Sequence, residues 1–175
     1  LCGANPAGDK PLIHRDQSAI RYGIIGTGRI ARDFASDLNH ASGTALHSVL
    51  SRDISSARQF AATHGATASH TSMDDFLGDP SLDAVYIATP NSAHLPQALA
   101  CIRAGKPVIV EKPLAMTAAA ASAISEESAK HGVPVMEGMW TRFLPAIMRA
   151  KEIIGSGQIG EVKAVNADLA FAHEY

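Results

Sequence analysis

The 175-residue chain is 46% hydrophobic, with a formal net charge of −2 and a mean hydropathy of +0.04, apolar enough to bury one full domain and part of another. Its Lys and Arg are scattered rather than gathered into a basic stripe, which argues against nucleic acid as a partner, and no apolar run approaches the roughly 20 residues of a membrane-spanning helix, which argues against a membrane. Leu1 to Ala19 holds no apolar core of a secretory signal, so cytoplasm is the expected compartment; Cys2 and Cys101 make no disulfide framework, and none of the eight His pair as H-x-H or H-x-x-x-H, so no metal set is expected.

Residues 1–19 are rich in Pro, Gly and Asp and aperiodic, and read as a flexible leader. Tyr22 to Ile25 is a short apolar run of the kind a buried parallel strand shows. It passes at Gly26-Thr27-Gly28 into a helical pattern in which Ile30, Ala31 and Phe34 share a face. Thr44 to Leu50 is the second strand, Ser55 to Thr63 a helix closed by Gly65, and Ser72 to Leu77 a short capped turn of another. Leu82 to Ala88 is a buried strand broken by Thr89-Pro90-Asn91, followed by a helix over Leu95 to Ala104 that stops at Gly105. Val108 to Val110 is a strand ending in Glu111-Lys112-Pro113. Thr117 caps a long Ala-rich helix running to His131, with Gly132 just past its end, and Pro134 to Glu137 is the strand that completes the unit near residue 138. Alternating β and α of this kind predict an α/β fold, a doubly wound parallel sheet of the Rossmann type over 20–138. Over 139–175 the pattern gives a linker rich in large side chains, a helix at Ala146 to Ile154 and an alternating strand at Val162 to Phe171. That segment reads as the start of a second, sheet-based α+β domain whose remainder lies outside the sequence.

Strand, glycine turn and helix at Ile20 to Phe34 form G-x-G-x-x-A. Gly26 permits the tight turn, Gly28 lets a pyrophosphate approach the backbone, and small Ala31 brings the helix close to the sheet. At the end of the second strand an Asp or Glu would accept the ribose hydroxyls of NAD, whereas Ser51 and Arg52 suit the extra phosphate of NADP. The other reading has Asp53 or Ser55 capping the next helix and Arg52 in solvent. Lys112, at a strand's carboxyl end, can hold a substrate oxygen and exchange its proton where burial tunes it; a solvated turn is the alternative.

Four stretches extend this picture: Gly23-Ile-Ile-Gly-Thr-Gly-Arg-Ile-Ala31, Ala88-Thr-Pro-Asn-Ser-Ala-His94, Glu111-Lys-Pro-Leu-Ala115 and Met139-Trp-Thr-Arg-Phe-Leu-Pro145. Together they resemble the glucose-fructose oxidoreductase, inositol dehydrogenase and rhizopine-catabolism (Gfo/Idh/MocA) family over roughly residues 20 to 171. Met136 to Pro145 most resembles the dihydrodiol (D-xylose) dehydrogenase branch, which favours NADP over NAD. The resemblance implies that Gly26, Thr27, Gly28, Arg29 and Ile30 hold the pyrophosphate, Ser51 and Arg52 the adenosine ribose phosphate, and Thr89, Pro90, Asn91 and His94 the central stretch of the cofactor. Glu111 and Lys112 would flank the nicotinamide, with Lys112 catalytic, and Trp140 and Arg142 would pack along the same cofactor. Trp140 reads equally as an interdomain core residue and His94 as a helix-start residue. The resemblance further implies an oxidoreductase acting on a sugar, polyol or cyclic diol and a homo-oligomer; a non-catalytic NAD(P)-sensing protein is the alternative on the same fold.

Overall fold

The structure, a computed structural model, describes residues 19–168 and 170, which divide at Gly138/Met139 into two compact units. In the first, β1 (Ile20–Ile25), α1 (Arg29–Leu38), β2 (Thr44–Leu50), α2 (Ile54–His64), β3 (Ala68–His70), α3 (Met73–Leu77), β4 (Ala84–Ile87), α4 (His94–Arg103), β5 (Val108–Val110), α5 (Ala118–His131) and β6 (Val135–Glu137) follow one another. The six strands pair in parallel in the order β3-β2-β1-β4-β5-β6, so the winding reverses between β1 and β4. Parallel neighbours cannot be joined by hairpins, and the helices supply the crossovers. The doubly wound expectation holds.

Alternate strand residues feed two cores, one on each face of the sheet. Ile24, Val49 and Tyr86 pack with α1 and α2, while Ile25, Val85, Ile87 and Val110 pack with α3, α4 and α5. Cys101 lies in the second core, where burial pushes its thiol up to about 12, so it serves as a small apolar residue. The buried face of α1 is Ala31, Ala35 and Leu38, with Phe34 packed against that core, and Ile30 is exposed instead of sharing the face expected for it. One residue is 100° of helical turn, and Ile30 falls on the side that α1 leaves uncovered.

β3 is the strand without an expected position. Ala68-Ser69-His70 is short and carries no apolar signal, and it becomes a strand by pairing with Ser48 to Leu50. Helix boundaries elsewhere follow their caps. The Asp53 side chain accepts from Ser56 N–H, Ser72 from Asp75 N–H and Thr117 from Ala120 N–H.

Hydrogen bonds from the Ser55 hydroxyl, then the Ser56 hydroxyl and backbone N–H, hold the Asp53 carboxyl well below the usual carboxylate range. A lowered folded-state pKa contributes stability that is complete above the ordinary carboxylate pKa and is lost as the pH falls towards the folded value. Asp53→Asn is therefore expected to flatten the acid limb of a pH–melting curve below about pH 4. An unchanged acid limb would show that this cap does not set it.

In the second unit, a 3₁₀ turn at Trp140–Phe143 leads into α6 (Pro145–Gly155), which begins on Pro145, a residue that lacks the N–H a first turn leaves unbonded. Val162 to Asp168 form no strand, contrary to the alternating pattern; Leu169 and Phe171 lie outside the described residues. Alternation sets which faces a strand would have, but strand structure needs a partner edge, and none of the described residues pairs with this segment.

Candidate functional site

At Gly26 the chain leaves β1 with φ +108°, and a Cβ there would stand 2.7 Å from the Ala88 carbonyl oxygen at the end of β4. A side chain is excluded twice, by the left-handed backbone and by the neighbouring strand. Gly28 is different. Its φ is −72°, an ordinary value, and a Cβ would meet nothing within 4 Å. Nothing in the chain itself demands glycine at that position. Gly28 opens α1 with no side chain capping the helix and no acidic residue in its first turn, so the N–H groups of that turn remain available to an anion.

These residues border a cleft of about 590 Å³ at the carboxyl ends of the strands, where the sheet order reverses. Gly26, Thr27, Gly28, Ser51, Arg52, Thr89 and Pro90, all singled out from sequence, line it together. Arg29 and Ile30 sit exposed on the adjoining first turn of α1, and Asn91 is exposed in the 3₁₀ turn before α4. Arg52 is exposed, while the neighbouring Asp53 carboxylate is engaged by its own helix. Both halves of the alternative reading of this corner are thus present: Asp53 is a cap, and Arg52 stands in solvent on the cleft wall.

The sequence reading missed Thr71, Met73 and Gln97, which also line the cleft. Thr71 and Met73 follow β3, so finding that strand would have found them. Gln97 accepts a hydrogen bond from the Thr89 hydroxyl at 2.6 Å, one helical turn beyond His94, a partnership no local pattern encodes.

His94 does not line the cleft. It is fully buried, with Nδ1 2.9 Å from the Pro113 carbonyl oxygen and Nε2 3.0 Å from that of Thr89. A neutral ring donates to one of the two carbonyls. The helix-start reading gives its position, and its contacts tie the β4 exit to the β5 exit.

The segment that carries Lys112 is tied down from three directions. The Glu111 N–H donates to the Ile87 carbonyl, the Pro113 carbonyl faces His94, and the Leu114 N–H donates to Glu137 Oε1 at 2.8 Å. Lys112 itself is exposed, and its peptide bond to Pro113 is cis. The burial that a tuned lysine would need is not supplied by the described residues. Glu111 Oε1 accepts from the Tyr86 hydroxyl, and Glu111 Oε2 from the Lys112 N–H. Trp140 and Arg142 belong to the second unit, both exposed on its 3₁₀ turn. Among the described residues no group of three or more His, Cys, Asp or Glu could hold a metal ion, and no helix is long and apolar enough to cross a membrane.

A glycine turn at the reversal point of a parallel sheet, followed by Glu-Lys-Pro at the end of β5, is a specific combination, and residues 20–139 match the sequence profile of the oxidoreductase family with an NAD-binding Rossmann fold, Gfo/Idh/MocA. The chain belongs to the Gfo/Idh/MocA family. Among curated relatives, trans-1,2-dihydrobenzene-1,2-diol dehydrogenase of Mus musculus is 34% identical over 155 residues, covering 87% of this chain and 46% of the relative. The Homo sapiens protein of the same name is 32% identical over 153 residues, covering 86% and 46%. The chain thus spans about half the length of the curated relatives it matches. Among solved structures, an NAD binding oxidoreductase from Klebsiella pneumoniae superimposes with a TM-score of 0.78 at 30% identity, over 82% of this chain and 40% of that one. A scyllo-inositol dehydrogenase from Lactobacillus casei, solved with NAD(H) and scyllo-inositol, gives a TM-score of 0.76 at 26% identity, over 82% and 43%. For this Gfo/Idh/MocA chain the comparisons support a dinucleotide-binding sheet and relatives named for dehydrogenation of cyclic diols and inositols.

Proposed function

We propose that the protein is an NADP-dependent oxidoreductase that interconverts a carbinol and a carbonyl on a polyol, sugar or cyclic diol, with Lys112 handling the hydroxyl proton. The observation that carries the proposal is the cleft itself, in which an uncapped helix start at Gly28 and the exposed Arg52 border one cavity at the reversal of the sheet. The residues fit a dinucleotide phosphate: open space in front of Gly28 admits the pyrophosphate to the α1 N–H groups, and the dipole of α1 favours negative charge there.

The second corner supports a preference for NADP. With its Oδ2 accepting from Ser55 and Ser56, the Asp53 carboxylate is turned to the start of α2 and is the weaker candidate for a ribose diol, whereas Arg52 and Ser51 offer a guanidinium fork and a hydroxyl to a phosphate. Arg29 and Ile30 would border the pyrophosphate, and Thr89, Pro90 and Asn91 the middle of the cofactor.

The bound dinucleotide would supply the two-electron chemistry. Lys112 Nζ would hydrogen-bond the substrate oxygen and hold or release its proton, and the fixed Glu111–Leu114 segment would keep that ammonium from wandering. Relatives named for dihydrodiols and inositols favour a ring with vicinal hydroxyls as substrate. The test is turnover by the full-length protein of a panel of trans-dihydrodiols, D-xylose and inositols with NADP⁺, read as the absorbance of reduced nicotinamide. Turnover of at least one ring polyol or diol is expected; a folded protein that binds the cofactor and turns over none would leave the non-catalytic sensor as the better reading.

A further inference from the structure

The side chains of β4 are Ala84, Val85, Tyr86 and Ile87, so a single hydroxyl is the only polar side-chain group on a strand buried along its length. The Tyr86 ring is sandwiched in the core: it stacks on Phe34 of α1 at 3.8 Å with the planes 19° apart, and Phe34 in turn meets Tyr22 edge-on. A Phe would satisfy all of that packing. The hydroxyl does something else. It reaches past the end of the strand and donates to Glu111 Oε1 at 2.5 Å, across 25 positions of sequence.

Glu111 is held by that contact in a particular way. Its second oxygen accepts the Lys112 N–H at 3.1 Å, so the carboxylate forms a bridge from the buried phenol to the backbone of the lysine. On the far side Gly138 leaves little slack, since even a Cβ there would come within 3.2 Å of Oε1. Burial, then the Glu111 carboxylate, push the Tyr86 phenol far up from its ordinary value, so Tyr86 is a standing donor and never a base.

We infer that Tyr86 is a positioning residue for the reaction: its hydroxyl fixes the Glu111 carboxylate, which in turn sets the backbone at Lys112. The inference rests on the catalytic reading of Lys112 given above. His94 and Glu137 restrain the same loop at Pro113 and Leu114, and the Ile87 carbonyl holds the Glu111 backbone, whereas the Tyr86 hydroxyl holds the Glu111 carboxylate.

Tyr86→Phe tests it in two independent ways. In the chain itself, amide hydrogen exchange at Lys112 and Leu114 should speed up about tenfold, the scale of a lost hydrogen bond to a charged group, while the amides of β1 and β4 keep their protection. In the full-length enzyme kcat should fall about tenfold with KM for the cofactor unchanged, and Tyr86→Phe should add nothing in a Lys112→Ala background. Unaltered exchange at Lys112, or rate losses that add across the two backgrounds, would overturn the inference while leaving Lys112 in place. If Lys112→Ala alone is silent, the reading of the lysine fails first and this inference with it. Should Tyr86→Phe fail to fold, Glu111→Gln removes the charge from the accessible side of the same bond. The same acceleration at Lys112 is then expected, and its absence counts against the inference.

Discussion

If the proposed activity holds, Lys112→Ala in the full-length protein is expected to lower kcat by about a hundredfold while leaving affinity for NADPH and the melting temperature nearly unchanged. The argument is one of location. Lys112 is exposed, so trimming it opens no cavity and leaves no buried partner unsatisfied. Its neighbours, by contrast, are fixed: Glu111 by Tyr86, Pro113 by His94, and Leu114 by Glu137. A surface lysine on so constrained a segment is of use chiefly for what its ammonium does to something outside the chain. General acid–base assistance of this kind is worth about 10²–10⁴ in rate. Lys112→Arg keeps the charge but replaces the compact ammonium with a planar guanidinium that does not exchange its proton, and should be nearly as slow. An unchanged kcat in Lys112→Ala would remove the residue from the mechanism.

The two glycines of the turn should fail in opposite ways. Gly26→Ala places a side chain at φ +108° and 2.7 Å from the Ala88 backbone oxygen, just past β4, where it cannot move without disturbing the sheet. Strain and overpacking together cost about 3 kcal/mol, a fall in melting temperature of roughly 6–12 °C. Gly28→Ala meets no heavy atom within 4 Å and keeps an ordinary backbone, so stability should stay within about 0.5 kcal/mol. Its methyl would project where a pyrophosphate must approach, and NADPH affinity should fall at least about tenfold. Melting curves beside cofactor titrations of both variants check this. If Gly28→Ala binds as well as the parent chain, the phosphates do not rest on this turn.

How far the sequence carries depends on whether the physics is local. β1, the glycine turn and α1 are legible because apolar periodicity and backbone freedom belong to adjacent residues, and the helix ends at Asp53, Ser72 and Thr117 because a cap acts three residues away. β3 is not legible: Ala68 to His70 is a strand only by virtue of the edge that β2 offers. The opposite failure occurs at Val162 to Asp168, where the alternation is present and no edge answers it. In the candidate site, residues whose backbone lines the cleft, such as Gly26, Gly28 and Pro90, could be chosen from position alone. Roles that depend on a distant partner could not. His94 is drawn inward by carbonyls at Thr89 and Pro113, and Tyr86, which sequence counts as one more apolar strand residue, proves to carry a hydrogen bond to Glu111.

The central claim is that the cleft holds NADP through Gly28 and Arg52, and calorimetric titration with NADPH and with NADH, repeated on Arg52→Ala, tests it most directly. NADPH should bind at least about tenfold tighter than NADH, a difference of about 1.4 kcal/mol, and Arg52→Ala should abolish that preference while leaving NADH affinity intact. NADH binding as tightly as NADPH, with Arg52→Ala altering neither, would contradict it.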